Sequence, residues 1–245
     1  MNFSYTNRFM QNHTDFAGAN MMGPNVLRIS EELASLLQIK KAGRILDLGC
    51  GTGLSSLFLA QQYDATVFAA DLWISPTDNQ SRFEQFGAKS ITPLSIDVTK
   101  GLPFAHEYFD ILFSVDAYHY FGRTPQMLPS LIPFVKRGGY IAVAIPAWKS
   151  GVQETPPELA RFFEPHADQL DDDPAATFQT IDWWKNLWRQ ADGIELIDCL
   201  ELSCCKQAWE EWLACPSPYA QADKGMLEVE QGKYFNITAL VAKRT

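Results

Sequence analysis

Apolar residues change period several times along the chain. Val26, Ile29, Leu33, Leu36 and Leu37 recur at helical spacing, so a helix starts near Pro24 and Gly43 ends it. Residues 45–48 then read as a short buried strand, 55–63 as a helix and 66–71 (TVFAAD) as a second strand. A helical stretch around 82–86 precedes a third strand at 91–97, and 109–116 (FDILFSVD) is a fourth. Residues 127–135 read as a helix despite Pro129 and Pro133. A fifth strand, 140–146, is entered through a turn at Gly138 and Gly139. A helix at 181–190 and strands at 194–202 and 235–244 complete the set. Short apolar strands alternating with helices predict an α/β fold: a mainly parallel sheet covered on both faces.

Three segments fall outside this alternation. Residues 1–23 read as an irregular arm carrying Tyr5, Phe9, His13, Phe16, Met21 and Met22, an aromatic and methionine content suited to a lid. Residues 147–178 and 203–233 are long intervals for a compact α/β domain, and such intervals are commonly functional insertions. The expectation is one domain over 1–245, with a ligand-binding core at 24–146 and the two insertions capping an acceptor site.

Composition narrows the partners. The 245 residues carry a formal charge of −9, and no basic run extends beyond Lys40 with Lys41 and Lys136 with Arg137. Nucleic acid is a poor match for that balance. Five cysteines, an odd number without a CxxC, and no secretory signal point to the reducing cytoplasm. No apolar run approaches the ~18 residues of a membrane span. The acidic run Asp171, Asp172 and Asp173 reads as a solvated loop, and no metal site is expected. Oligomeric state is left open.

The chemistry begins at RILDLGCGTGLSS, residues 44–56. A triphosphate loop needs a Lys after its last glycine, and none is present. A dinucleotide loop wants GxGxxG, whereas Gly49, Gly51 and Gly53 give GxGxG and Leu54 occupies the third glycine's place. This spacing suits a backbone passing close beneath a ligand with no pyrophosphate. Asp47 is placed to brace the loop through backbone N–H groups, or to meet a cationic ligand group. Asp71, about 20 residues beyond the glycines, is placed to accept two ribose hydroxyls. Asp97 can accept from an adenine amino group while the Val98 N–H donates to the ring.

ILDLGCGTG, VFAADLW, SIDVTKGLPFAHEYFDILFSVDAYHYF and VKRGGYIAVAIP resemble the successive motifs of class I S-adenosylmethionine-dependent methyltransferases, most of all the small-molecule group of quinone C-methyltransferase-like and cyclopropane-synthase-like proteins. The resemblance covers residues 24–146 by motif and the remainder by order and spacing. It implies a Rossmann-like sheet of seven strands, the last antiparallel between its neighbours. It implies S-adenosyl-L-methionine as cofactor, with Gly49 and Gly51 along the methionine part, Asp71 on the ribose, and Asp97 with Val98 on the adenine. Asp47, Cys50, Leu72 and Ser114 complete the expected cofactor set.

Methyl transfer from a sulfonium needs alignment first, and a base only where the acceptor still holds its proton. His119 and Tyr118 are the candidate catalytic residues, with His119 as the candidate base, and the competing reading is a histidine that only shapes the pocket. Met22, Trp73, Tyr120 and Trp184 are candidate acceptor contacts. Trp73 reads equally as a rim aromatic, and Trp184, four from Trp188, as core packing. Cys204 and Cys205 read as ordinary, partly buried cysteines. A small-molecule acceptor is the first expectation. A non-catalytic cofactor-binding domain, a protein methyltransferase and a nicotinamide oxidoreductase are the rivals. The acceptor atom is open among oxygen, nitrogen, carbon and sulfur.

Overall fold

The computed structural model describes residues 11–152, 154–162 and 178–245. The expectations placed on Tyr5, Phe9, the 171–173 acidic run and half of the 147–178 interval lie outside the described residues. Seven strands form one sheet: β1 (Arg44–Leu48), β2 (Thr66–Asp71), β3 (Ile91–Ser95), β4 (Phe109–Val115), β5 (Val135–Trp148), β6 (Ile194–Glu201) and β7 (Phe235–Arg244). Their order is β3-β2-β1-β4-β5-β7-β6. The first five pair in parallel, and β7 runs antiparallel to both β5 and β6.

Strand alternation splits the core between the two faces of this sheet. Ile45, Val67, Ile111 and Phe113 point to a layer holding Leu27, Leu33, Phe58 and Trp212. Leu46, Leu112, Ile141 and Val143 point to a layer holding Tyr118, Leu131, Trp184 and Trp188. Both faces being covered explains why the parallel strands read as nearly continuous apolar runs.

Several predicted boundaries are corrected. The first long helix is Val26–Ser35, with Asn25 as its N-cap accepting from the Leu27 N–H. It ends well before Gly43. The helix expected at 82–86 is Pro76–Glu84, capped by Ser75 with Pro76 in its first turn. The helix expected over 127–135 is Met127–Leu131, followed by a 3-10 turn at Ile132–Phe134. Pro133 has no N–H to extend it, and Val135 already opens β5. Gly138 and Gly139 lie inside β5, where its pairing with β4 shifts register between Phe109 and Ile111. The helix expected at 181–190 closes at Trp188.

The segments outside the alternation are more ordered than their sequence suggests. The arm holds a helix, Thr14–Asn20. Phe16 packs edge-on against Phe86 at 4.6 Å between ring centroids. The 203–233 interval folds into two helices, Cys205–Leu213 and Pro218–Glu230. A nearly buried ion pair clips the first of these to the long N-terminal helix: Arg28 meets Glu211 at 2.6 Å, and Asn25 Nδ2 donates to the same carboxylate. Among the described residues no helix is long and apolar enough to cross a membrane.

Candidate functional site

The carboxyl ends of β1, β2 and β4, with the segment after β3, open on a cleft of about 400 Å³. Its position beyond the strand ends is where open α/β sheets bind ligands, and its size lies within the usual range of small-molecule sites, about 300–1,000 Å³.

The glycine loop forms the floor. Gly49, Gly51 and Gly53 all take positive φ, at +73°, +53° and +86°, a conformation that costs other residues free energy. A Cβ on Gly49 would overlap the side chain of Ala117, and one on Gly53 the ring of Phe83. The loop is tied to the end of β2: Gly49 N–H and Cys50 N–H both donate to Ala70 O, at 2.8 and 3.1 Å. Gly51 N–H donates to Asp71 Oδ2 at 2.8 Å. Asn79, on the helix after β2, donates from Nδ2 to Gly51 O at 2.8 Å.

Asp71 therefore organises the floor as well as facing the cleft. Its Oδ1 accepts from the Trp73 and Ile74 N–H groups at 2.8 and 2.9 Å. Three backbone donors fix the carboxylate, and Oδ2, with one donor against the two on Oδ1, keeps a lone pair for a ligand hydroxyl. Asp97 lines the cleft beside Val98. One of its oxygens accepts from the Thr99 N–H and Oγ1, and Lys100 meets the other at 3.0 Å. These donors hold its carboxyl below the usual range.

Leu72, Cys50, Met22, Trp73 and Tyr120 also line the cleft. Burial, with the charges of Asp47 and Asp71, drives the Cys50 thiol well above its ordinary pKa, so it serves as a small wall residue rather than a nucleophile.

Other expected residues sit elsewhere. Asp47 is fully buried beneath the loop, and burial pushes its pKa up to about 6. It braces through hydroxyls instead of loop amides: Ser55 Oγ and Ser56 Oγ donate to its Oδ2 at 2.6 and 2.5 Å. Ser114 is equally buried, and its Oγ donates to Leu48 O at 2.7 Å, tying β4 to β1. Trp184 is core, packed against Tyr118 and Trp183. Tyr118 is enclosed by Trp184 and Trp188, and burial raises its phenol. His119 is 1% exposed, stacked on Phe178 at 5.7 Å. Burial, reinforced by Arg123, lowers its pKa to about 3. The structure thus brings neither His119 nor Tyr118 to the cleft wall. Both side chains pack within the turn after β4.

Sequence reasoning missed the arm's anchor. Thr52 Oγ1 donates to Asn20 O at 2.5 Å, and Arg82 Nε donates to Asn20 Oδ1 at 2.9 Å. Met22 follows, its Sδ close above Gly51. No local pattern marks Asn20, because its partners come from the glycine loop and from the helix after β2. Asp116 was visible in SVDAYHYF without an assigned role, and it lines the cleft directly.

Residues 45–139 match a family described as methyltransferase domain. A phosphoethanolamine N-methyltransferase of Triticum aestivum is 23% identical over 127 residues, which are 52% of this chain and 25% of that protein. The matched stretch is thus a minor part of that relative. Among solved structures, phosphoethanolamine N-methyltransferase 2 of Haemonchus contortus with S-adenosyl-L-methionine superposes with a TM-score of 0.71 at 17% identity, covering 97% of this chain and 58% of that one. The [4+2]-cyclase SpnF superposes with a TM-score of 0.65 at 15% identity, covering 92% and 83%. The chain has the fold of these structures, and the match to the methyltransferase domain family is confined to residues 45–139.

Proposed function

We propose that this chain binds S-adenosylmethionine in the cleft and transfers its methyl group to a small molecule. The observation that carries this is the pairing of the Gly51 amide with Asp71 at the mouth of the cleft. It sets a bare backbone floor next to a carboxylate fixed for a ribose. Phosphates would find Asp71 and Asp97 on that side, so a nucleoside with an amino-acid tail fits the donor set better than a dinucleotide. Gly49 and Gly51 would run along the methionine part, Asp71 would hold the ribose, and Asp97 with Val98 would hold the adenine. The bound cofactor supplies a methyl already activated on sulfur. The chain's own contribution is then alignment and exclusion of water, by the anchored Asn20–Met22 segment above the loop.

Fold alone does not decide the reaction, since a cyclase shares it. The matched relatives and neighbours include methyltransferases acting on small molecules, which supports transfer over a binding-only role. The net charge of −9 and five free cysteines support a cytoplasmic enzyme that does not act on nucleic acid. The test is calorimetric. S-adenosylhomocysteine should bind and NAD(H) should not, and a metabolite extract with labelled cofactor should then yield labelled small molecules. Tight NAD(H) binding without S-adenosylhomocysteine binding would overturn the proposal. Cofactor binding with label appearing only in protein would move the acceptor to a polypeptide.

A further inference from the structure

The nucleoside reading leaves one end of the cleft unexplained. Just past β4, Asp116 adopts φ +55°, a region that non-glycine residues enter at a cost and that recurs at functional sites. Its carboxylate stands against Gly23, where any side chain would collide with it. Among the described residues neither a hydrogen bond nor a cation steadies it. Burial first, and then the charge of Asp223, favour its protonated form up to about pH 7.

Asp223 comes from the helix Pro218–Glu230 and is half-buried, accepting from Trp212 Nε1 at 2.7 Å. Tyr120 feels both carboxylates, and burial with their charge raises its phenol. On the open side, Trp73 and Tyr120 meet edge to face at 5.4 Å, yet they remain 64% and 44% exposed. Arg123 also lines the cleft, but it is already engaged.

Three ligand chemistries can be compared at this end. An anion would add to the repulsion between two carboxylates. A neutral group would relieve neither that repulsion nor the cost of burying an ionised carboxylate, and so would leave Asp116 to its protonated form. A cation relieves both, and exposed indole and phenol rings attract alkylammonium groups. We infer that Asp116, backed by Asp223 and rimmed by Trp73 and Tyr120, is a subsite for an alkylammonium group, so that the acceptor is an amine that arrives positively charged and gives its proton to the Asp116 carboxylate, which frees the nitrogen lone pair for the methyl. The inference rests on the proposed cofactor reading for the rest of the cleft.

The test uses the full chain, with and without S-adenosylhomocysteine. Butylammonium is titrated against butanol and butyrate and followed by nuclear magnetic resonance at the Trp73 indole, with S-adenosylhomocysteine affinity measured in parallel. Butylammonium should bind at least about tenfold more tightly than butanol or butyrate, and Asp116→Asn should remove that preference while changing S-adenosylhomocysteine affinity by less than about threefold. Trp73→Ala, at an exposed position that leaves the core intact, should weaken butylammonium roughly threefold. It serves if the Asp116 variant fails to fold. Butylammonium binding no better than butanol, or unchanged in both variants, overturns the inference. So does an Asp116 variant that loses cofactor affinity and keeps butylammonium, because the carboxylate would then serve the cofactor's own ammonium. If the wild type binds butylammonium through Asp116 but no S-adenosylhomocysteine, the subsite stands and the cofactor reading falls.

Discussion

Asp71→Asn isolates what one carboxylate does for the cleft. The native oxygens divide their work: Oδ2 takes the Gly51 N–H, and Oδ1 takes those of Trp73 and Ile74. An amide has a single acceptor oxygen. It faces the pair of donors, which sets the new NH2 against the Gly51 N–H. One backbone donor then loses its partner at a cost of about 1–3 kcal/mol. In a chain of this size each kcal/mol lowers Tm by about 2–4 °C, so a drop of about 2–12 °C is expected in differential scanning fluorimetry. The ligand loses in addition about 1.5–3 kcal/mol for a ribose hydroxyl bonded to a charged acceptor. That makes S-adenosylhomocysteine roughly 10–150-fold weaker by calorimetry. Asp97→Asn is the control for the fall in Tm, since that carboxylate is held by Thr99 and Lys100 and does not support the loop. Affinity within about threefold of wild type in Asp71→Asn would refute the role given to the carboxylate.

The remaining predictions concern the loop, the histidine, the buried acids and the arm. Gly49→Ala, at φ +73° and against Ala117, should abolish measurable cofactor binding while the far-ultraviolet circular dichroism stays native; retained affinity would show that the floor tolerates a side chain. His119→Ala should lower Tm by an amount typical of a buried ring and leave turnover per folded molecule nearly unchanged; a selective fall in turnover would restore it as a base. Asp47 and Asp116 both have folded pKa values raised above their unfolded value, to about 6 and about 7. The native state therefore holds more protons than the unfolded chain between about pH 4 and 7, and stability declines as pH rises through that window. For Asp47 the shift is worth on the order of 3 kcal/mol, and Asp47→Asn should flatten that part of the slope in urea titrations; an unaltered slope would contradict it. Thr52→Val removes the hydroxyl that holds Asn20 O and should loosen the arm, read as faster proteolysis there and cofactor binding weakened about tenfold or less.

What the sequence made legible follows from where each signal resides. Six of the seven strands carry their pattern locally, as short apolar runs between turn residues, and their predicted positions lie within two or three residues of those observed. β5 is the exception, since Gly138 and Gly139 look like a turn and become a register shift only when paired with β4. Gly49, Gly51, Asp71 and Asp97 were legible because the loop and the strand ends are fixed by chain order in a parallel sheet. The burial of His119 was not legible, because titratability is a property of the residue type whereas exposure depends on the fold. The turn after β4 rotates His119 toward Phe178 and turns Tyr120 outward toward Trp73. A four-residue helix decides that outcome, and nothing in YHYF states which of its aromatic faces meets solvent. Asp116 shows the complementary failure. One acid among twenty-nine acidic residues carries no distinguishing mark. Its lack of a cation partner among the described residues appears only when Gly23 from the arm and Asp223 from the last described helix are placed beside it. In this fold the cofactor side is assembled mostly from strand ends and reads from the chain. The proposed acceptor side draws on the arm, the turn after β4 and a late helix, so the argument for an amine acceptor exists only in three dimensions.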